Sequence, residues 1–199
     1  IQHFVAIDNV CAWPNLTLMP DGSINSTIFG KPSHGQMEGA AECWNSSDGE
    51  FWTKRGIPAP NEPHTNRMNV AAGLAKNGDL LVLCSGWTNE KQPQRPKQTP
   101  FRDDILRSWV CRSSDGGLTW TQQQKLTASD GAPGDFFGSI ALSGDTAVIG
   151  ADGADGGCFL SDSGAAYVFT RADGLWTERA KLGASDATEK EWFGKDVAM

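Results

Sequence analysis

The sequence predicts an all-β protein made of four-stranded antiparallel β-propeller blades, and three observations carry that expectation. A Trp-Thr pair recurs at Trp52-Thr53, Trp120-Thr121 and Trp176-Thr177, with spacings of 68 and 56 residues, a period typical of propeller blades and related arrays. Short apolar runs lie between these marks, separated by Asp-Gly, Asn-Gly or Gly-Asp turns. No segment shows a sustained helical period. With 23 Gly, 10 Pro and 8 Trp among 199 residues, the composition suits short strands joined by tight turns.

Each repeat opens with a hairpin. Leu16-Thr17-Leu18, a turn at Pro20-Asp21-Gly22 and a strand from Ile24 to Phe29 form the first. Ala72-Gly73-Leu74, a turn over 76–79 and Leu80 to Cys84 form the second; Ile140-Ala141-Leu142, a turn over 143–145 and Thr146 to Gly150 form the third. Gly and Asn tolerate the positive φ that such turns demand, which is why they mark them. The unbroken runs Leu80-Leu81-Val82-Leu83 and Ala147-Val148-Ile149 suit strands buried on both faces. A third strand follows at Ala41–Trp44, Ser108–Arg112 and Ala165–Thr170, and the Trp-Thr segment supplies the fourth. The Pro-rich, charged connection from Asn89 to Asp104 reads as a long exposed loop.

The tail repeats what precedes it. Lys125 to Asp130 returns as Lys181 to Asp186, Asp135-Phe136-Phe137-Gly138 returns as Glu191-Trp192-Phe193-Gly194, and Val197-Ala198-Met199 echoes Ile140-Ala141-Leu142. Three blades and one orphan first strand are therefore expected, fewer than the four to eight blades of a closed propeller. A free strand edge is a pairing liability. Three arrangements would cover it: pairing with Phe4-Val5-Ala6-Ile7, assembly with copies of the chain, or further blades in a longer polypeptide.

Charge narrows the partners. The net charge of −7 divides into −1 over residues 1–120 and −6 over 121–199, which argues against a polyphosphate partner such as nucleic acid. No run approaches the ~18 consecutive apolar residues that suggest a membrane-spanning helix. The chain opens on Ile1, which fits a removed leader or a partial sequence, and three sequons at Asn15, Asn25 and Asn45 point to a secreted or extracellular glycoprotein. Five cysteines show no metal-binding spacing; Cys43 and Cys111 each stand nine residues before a blade-closing Trp and read as one repeated position. The reading that fits them best is a small buried hydrophobe, with a Cys84–Cys111 disulfide as the alternative.

Ser113-Ser114-Asp115-Gly116-Gly117-Leu118-Thr119-Trp120 matches the pattern S-x-D-x-G-x-T-W, and Asn45 to Trp52 is a degenerate copy with Ser47 at the Asp place and Asp48 one later. With Cys11 to Leu16 and Asn66 to Leu74, these residues make positions from about 10 to 120 resemble a sialidase-like Asp-box (BNR) propeller. In such propellers the Asp box is structural, so the resemblance implies a structural role for Ser113, Asp115, Gly117, Thr119 and Trp120. Residues from about 120 onward resemble instead the FG-GAP repeats of integrin-α-like propellers, through Phe137-Gly138, Gly144 to Ala151, Gly164 to Phe169 and Trp176-Thr177-Glu178. The two resemblances divide the chain into 1–120 and 121–199, within what reads as one continuous propeller-like unit, and meet at Trp120.

A sialidase would need an arginine triad and a tyrosine nucleophile. The single tyrosine, Tyr167, lies on a predicted strand in the second part, and the N-terminal arginine motif is not recognisable. The loops of the first part still hold His34 and Glu38, and His64 and Arg67, at corresponding places: acid–base groups and a carboxylate-binding cation for a ligand site. Asp152, Asp155 and Asp162 are candidate Ca²⁺ ligands, because the FG-GAP resemblance implies a calcium loop there, although the D-x-D-x-D alternation is lacking. The function expected is a non-catalytic extracellular module that recognises a glycan or protein, or serves structural assembly. The alternatives are a fragment of a sialidase-like glycoside hydrolase and a shuffled or engineered chimera without native activity.

Overall fold

A computed structural model describes residues 5–34, 36–89, 104–132, 134–155 and 162–199. Among the described residues, twelve strands form three four-stranded antiparallel sheets. Blade 1 comprises β1 (Cys11–Leu18), β2 (Ile24–Phe29), β3 (Ala41–Ser46) and β4 (Thr53–Ala59). Blade 2 comprises β5 (Thr65–Leu74), β6 (Leu80–Thr88), β7 (Asp104–Ser113) and β8 (Thr121–Leu126); blade 3 comprises β9 (Phe137–Ser143), β10 (Thr146–Ala151), β11 (Ala165–Ala172) and β12 (Leu175–Leu182). Each blade is a simple meander, so all three predicted hairpins and the third and fourth strands are present.

The blades are joined by two apolar layers. Val82, Cys84, Trp109 and Cys111 of blade 2 meet Ala41 and Ala59 of blade 1, and Trp120 packs on this layer. On its opposite face, blade 2 presents Leu81, Leu83, Val110 and Leu126 to Ile149, Tyr167, Phe169 and Trp176 of blade 3. The buried runs of β6 and β10 feed these layers, as their unbroken apolar sequence requires. Burial of such side chains contributes roughly 25 cal/mol per Å² of apolar surface, and this term holds the blades face to face. The first strands β1, β5 and β9 touch one another in succession. Asn15 ties two of them, donating from Nδ2 to the Val70 carbonyl at 2.8 Å and accepting from the Ala72 N–H at 3.3 Å.

The turns before Trp120 and Trp52 are built alike. Ser113 Oγ donates to Asp115 Oδ1 at 2.7 Å and accepts from the Gly117 N–H; Asp115 accepts from the Leu118 and Thr119 N–H groups and from the Thr119 hydroxyl. Trp120 Nε1 closes the turn on the Gly117 carbonyl at 2.9 Å. Ser46, Asp48, Gly49 and Trp52 repeat this network one residue shorter. Asp48 therefore occupies the Asp position itself, and Ser47 does not, which corrects the alignment counted back from the tryptophans. Gly117 sits at φ 96° with Cys43 Sγ within 2.7 Å of where a Cβ would lie, so the turn also wedges against blade 1.

That one-residue difference also corrects the cysteine equivalence. Trp44 and Cys111 are the matched positions, each beside a bulge and paired with the second residue after the blade-closing Trp, Lys54 and Gln122. Cys43 corresponds to Val110 and faces the following blade, whereas Cys111 faces the preceding one. Among the described residues Cys11, Cys43, Cys84 and Cys111 are free, so no Cys84–Cys111 bridge forms.

The expected orphan strand is absent: residues 195–199 adopt no strand, and neither do residues 5–10. The motif ahead of it does dock. Phe193 bridges Gly164 in parallel and its N–H donates to the Ser163 carbonyl at 3.0 Å, as Asn66 bridges Gly39 at the start of blade 2. Gly194 lies with its backbone on Gly150 and Ala165, a contact that a side chain at either glycine would block. Most of the predicted loop between Asn89 and Asp104, residues 90–103, lies outside the described residues.

Candidate functional site

In a meander blade the β1–β2 and β3–β4 turns lie at one end and the β2–β3 connections and blade-to-blade links at the other. At this second end the starts of the first strands surround a cavity of about 640 Å³. Trp13 of β1, Met68 to Val70 of β5 and Gly138 to Ile140 of β9 form its walls; Trp87, Ile105 and Phe136 add apolar surface, and Asp152, Lys195 and Asp196 add charge. Each of the three blades contributes its first strand at a corresponding depth, so the cavity lies along the line where the blades converge. Such concave, mostly apolar sites with a few placed polar groups are the usual form of small-ligand pockets.

Two features mark this cavity electrostatically and conformationally. Burial pushes the Asp152 carboxyl above its ordinary value, and the Asp196 carboxylate adds to the shift against the lowering effect of Lys195. Phe136 adopts φ 54°, a left-handed conformation costly for an aromatic L-residue, and Trp192 repeats it at φ 56° in the equivalent motif. Both are followed by the Phe-Gly pair that docks on the preceding blade. The acidic residue ahead of each fixes the entry turn: Asp135 accepts from the Ala132 N–H and Glu191 from the Thr188 N–H.

The residues predicted for ligand binding are split by the fold. His64 Nδ1 lies 3.5 Å from Glu38 Oε1, joining the link between blades 1 and 2 to the β2–β3 connection, and both side chains are exposed. His34 packs edge-on against Trp13 with centroids 5.0 Å apart, which brings it to the cavity rim. Arg67 goes elsewhere. It is 2% exposed, donates to Glu62 at 2.8 Å and stacks 3.7 Å from the Trp109 ring between blades. None of these four lines the cavity. Trp13 and Asn69, which do, lie in the segments that carry the resemblance of the first part but bear no site signature, and Trp87, Lys195 and Asp196 carry no motif; for the wall residues Trp13, Asn69 and Ser139 a further sequence signal is their place within the first strand of each blade.

Asp152, Asp155 and Asp162 do not converge. Asp152 faces the cavity, while Asp155 accepts from the Asp162 backbone N–H at 3.2 Å. Among the described residues no three metal-ligating side chains form a cluster. Of the sequon residues, Asn25 is 1% exposed and donates to the Gly116 carbonyl, leaving no room for a glycan in the folded chain. Asn45 donates to Asn25 and Ser23, and Asn15 holds β5 as described above. Tyr167 is fully buried in the layer between blades 2 and 3, its hydroxyl donating to Asp130 at 2.7 Å. Among the described residues, no helix is long and apolar enough to cross a membrane.

Residues 120–169 match the FG-GAP repeat. The match begins at the outer strand of blade 2 and runs into β11, so the repeat in sequence is offset from the blade in space. No curated protein matches the chain. Among solved structures, a Dyadobacter fermentans protein of unknown function is similar at 16% identity and a TM-score of 0.61, over 91% of this chain and 57% of its own. A Bombyx mori GH32 β-fructofuranosidase is similar at 18% identity and a TM-score of 0.53, over 87% of this chain and 35% of its own. The chain thus spans only part of either, and likeness at such identities shows fold alone. Together with the three unclosed sheets, these findings establish a β-propeller-type fold that carries an FG-GAP repeat.

Proposed function

We propose that the chain is a non-catalytic extracellular recognition module that binds a carbohydrate in the axial cavity. The carrying observation is Trp13, an indole 65% exposed at the rim of a cavity whose interior holds Asn69, Ser139 and Asp152. Sugar rings present apolar C–H faces that stack on aromatic planes and hydroxyls that pair with amides and carboxylates, so this mixture suits them. The Asp-box resemblance of the first 120 residues supports the same ligand class. The fit favours a short neutral saccharide, since the cavity holds two carboxylates against one lysine. Screening the intact protein on a glycan array, then following the best ligand by mass spectrometry, tests the reading: retained, unmodified ligand is expected, and no bound glycan would refute it.

One observation favours a second reading, a glycoside hydrolase. Asp152 and Asp196 line the same cavity, burial raises the Asp152 carboxyl above its ordinary value, and two carboxyl groups in unequal surroundings are the arrangement such enzymes use. Cleavage of the bound glycan, abolished by Asp152→Asn, would establish it over the binding module.

A further inference from the structure

The link from β8 to β9 borders a second hollow beside the axial cavity. Its volume is about 330 Å³, at the lower end of the roughly 300–1,000 Å³ of small-ligand sites. Ile105 and Arg107 of β7 form one wall, and Thr127 and Ala132 of the link form the other. Ile105 and Phe136 line both this cleft and the axial cavity, so the two hollows meet along these side chains.

Local bonding sets Phe136 on that junction. The Asp135 carboxylate accepts from the Ala132 N–H at 2.8 Å, and the Asp135 carbonyl accepts from the Gly153 N–H at 3.1 Å. The turn is thereby docked on the β10–β11 connection, beside Asp152. Position 153 has no room for a side chain, because a Cβ there would clash with the Gly134 carbonyl oxygen and with Phe136 Cδ2. The ring is therefore seated against Gly153, and Phe136 is still 38% exposed. The same left-handed backbone recurs at Trp192, so the conformation belongs to the repeat. Here the repeat delivers an aromatic surface to the meeting line of two hollows. The cleft also has polar groups of its own. Arg107 is exposed, and its guanidinium has no hydrogen-bond or ion-pair partner among the described residues. Its N–H donors suit the lone pairs of sugar hydroxyls, and the Thr127 hydroxyl can donate or accept. Arg107 and Asp135 together leave the cleft without net charge, so a neutral sugar suits it as it suits the axial cavity.

We propose that the cleft is a second sugar subsite, and that the chain binds a neutral oligosaccharide across Phe136. One ring lies in the axial cavity and the next lies between Arg107 and Thr127. This rests on the carbohydrate reading of the axial cavity and extends it. Trp13 stacks one ring at the rim, and Phe136 offers its face to the neighbouring one.

Calorimetric titration of the intact protein with glucose, galactose and mannose, and with neutral di- and trisaccharides of each, tests this. At least one oligosaccharide is expected to bind roughly tenfold or more tighter than its own monosaccharide. Thr127→Trp fills the cleft from an exposed position, and Arg107→Ala removes the donor from the facing wall. Each abolishes the gain with length, leaves monosaccharide affinity as in the parent and keeps the circular-dichroism spectrum. Leu175→Trp, at an exposed turn tip at the other end of blade 3, changes neither affinity. Monosaccharide binding with no gain from length overturns the second subsite and leaves the axial reading standing. A gain indifferent to both cleft substitutions does the same. Absence of binding by the whole panel overturns the subsite and the axial reading together.

Discussion

The side chain of Gln124 pairs with both backbone groups of Trp176, donating through Nε2 to its carbonyl at 2.9 Å and accepting from its N–H at 3.0 Å. One amide thereby imitates a strand neighbour and joins β8 of blade 2 to β12 of blade 3 at their outer edges. Trp176 is itself buried in the apolar layer between these blades, so this bond pair gives partners to backbone groups that burial would otherwise leave unmet.

Gln124→Leu removes both bonds and leaves two half-buried backbone groups without them. The expected loss is about 1–3 kcal/mol, because unmet polar groups carry their desolvation penalty. For a chain of this size that corresponds to a melting temperature lower by roughly 2–4 °C per kcal/mol. Thermal denaturation reads it directly, and Gln124→Glu, which keeps only the acceptor, falls between.

The Ser-x-Asp turns make stability depend on acid. The Thr119 hydroxyl, with the Thr119 and Leu118 N–H groups and Ser113, holds the Asp115 carboxyl well below the usual carboxylate range. A depressed folded pKa contributes stability above the unfolded value near ~3.9, and that contribution is lost as pH falls toward the folded one. Asp115→Ala therefore lowers the melting temperature at pH 7, and the gap to the parent narrows below about pH 4. Asp48→Ala behaves in the same direction, since the Phe51 and Glu50 N–H groups and the Ser46 hydroxyl lower the Asp48 carboxyl too.

Burial pushes the thiols of Cys43 and Cys111 up to about 12, and Cys84 further still. A thiol needs exposure and its anion to react. Alkylation of the native protein at pH 8 should label Cys11 well before these three, with peptide mapping to separate them. Because their folded pKa values are raised, the stability they contribute is full below the unfolded thiol pKa of ~8.5 and declines as pH rises above it. Replacing Cys111 by Ala should flatten that alkaline decline.

The twelve strands were legible because hairpin turns and period-two burial are local signals, and the Trp-Thr marks set the number of blades. What failed was counting across a turn of unequal length. The stretch from Asp48 to Trp52 is one residue shorter than that from Asp115 to Trp120, and that gap moved both the Asp position and the equivalence of Cys43. Arg67 read as a ligand cation, but the fold turns it onto Trp109 and Glu62 between blades. The cavity was hidden for a different reason: Trp13, Asn69 and Ser139 lie far apart in sequence and meet only where three blades converge. The tail motif Glu191 to Gly194 repeats Asp135 to Gly138 in docking and in backbone angle, yet the strand predicted after it does not form.

Carbohydrate recognition in the axial cavity is tested most directly by calorimetric titration of the best array ligand into the parent protein and Trp13→Ala. Trp13 is largely exposed, so its removal should leave thermal stability within about 0.5 kcal/mol, as for most surface changes. The account predicts saturable binding by the parent and at least tenfold weaker binding by Trp13→Ala. Equal affinity in the two proteins would contradict it.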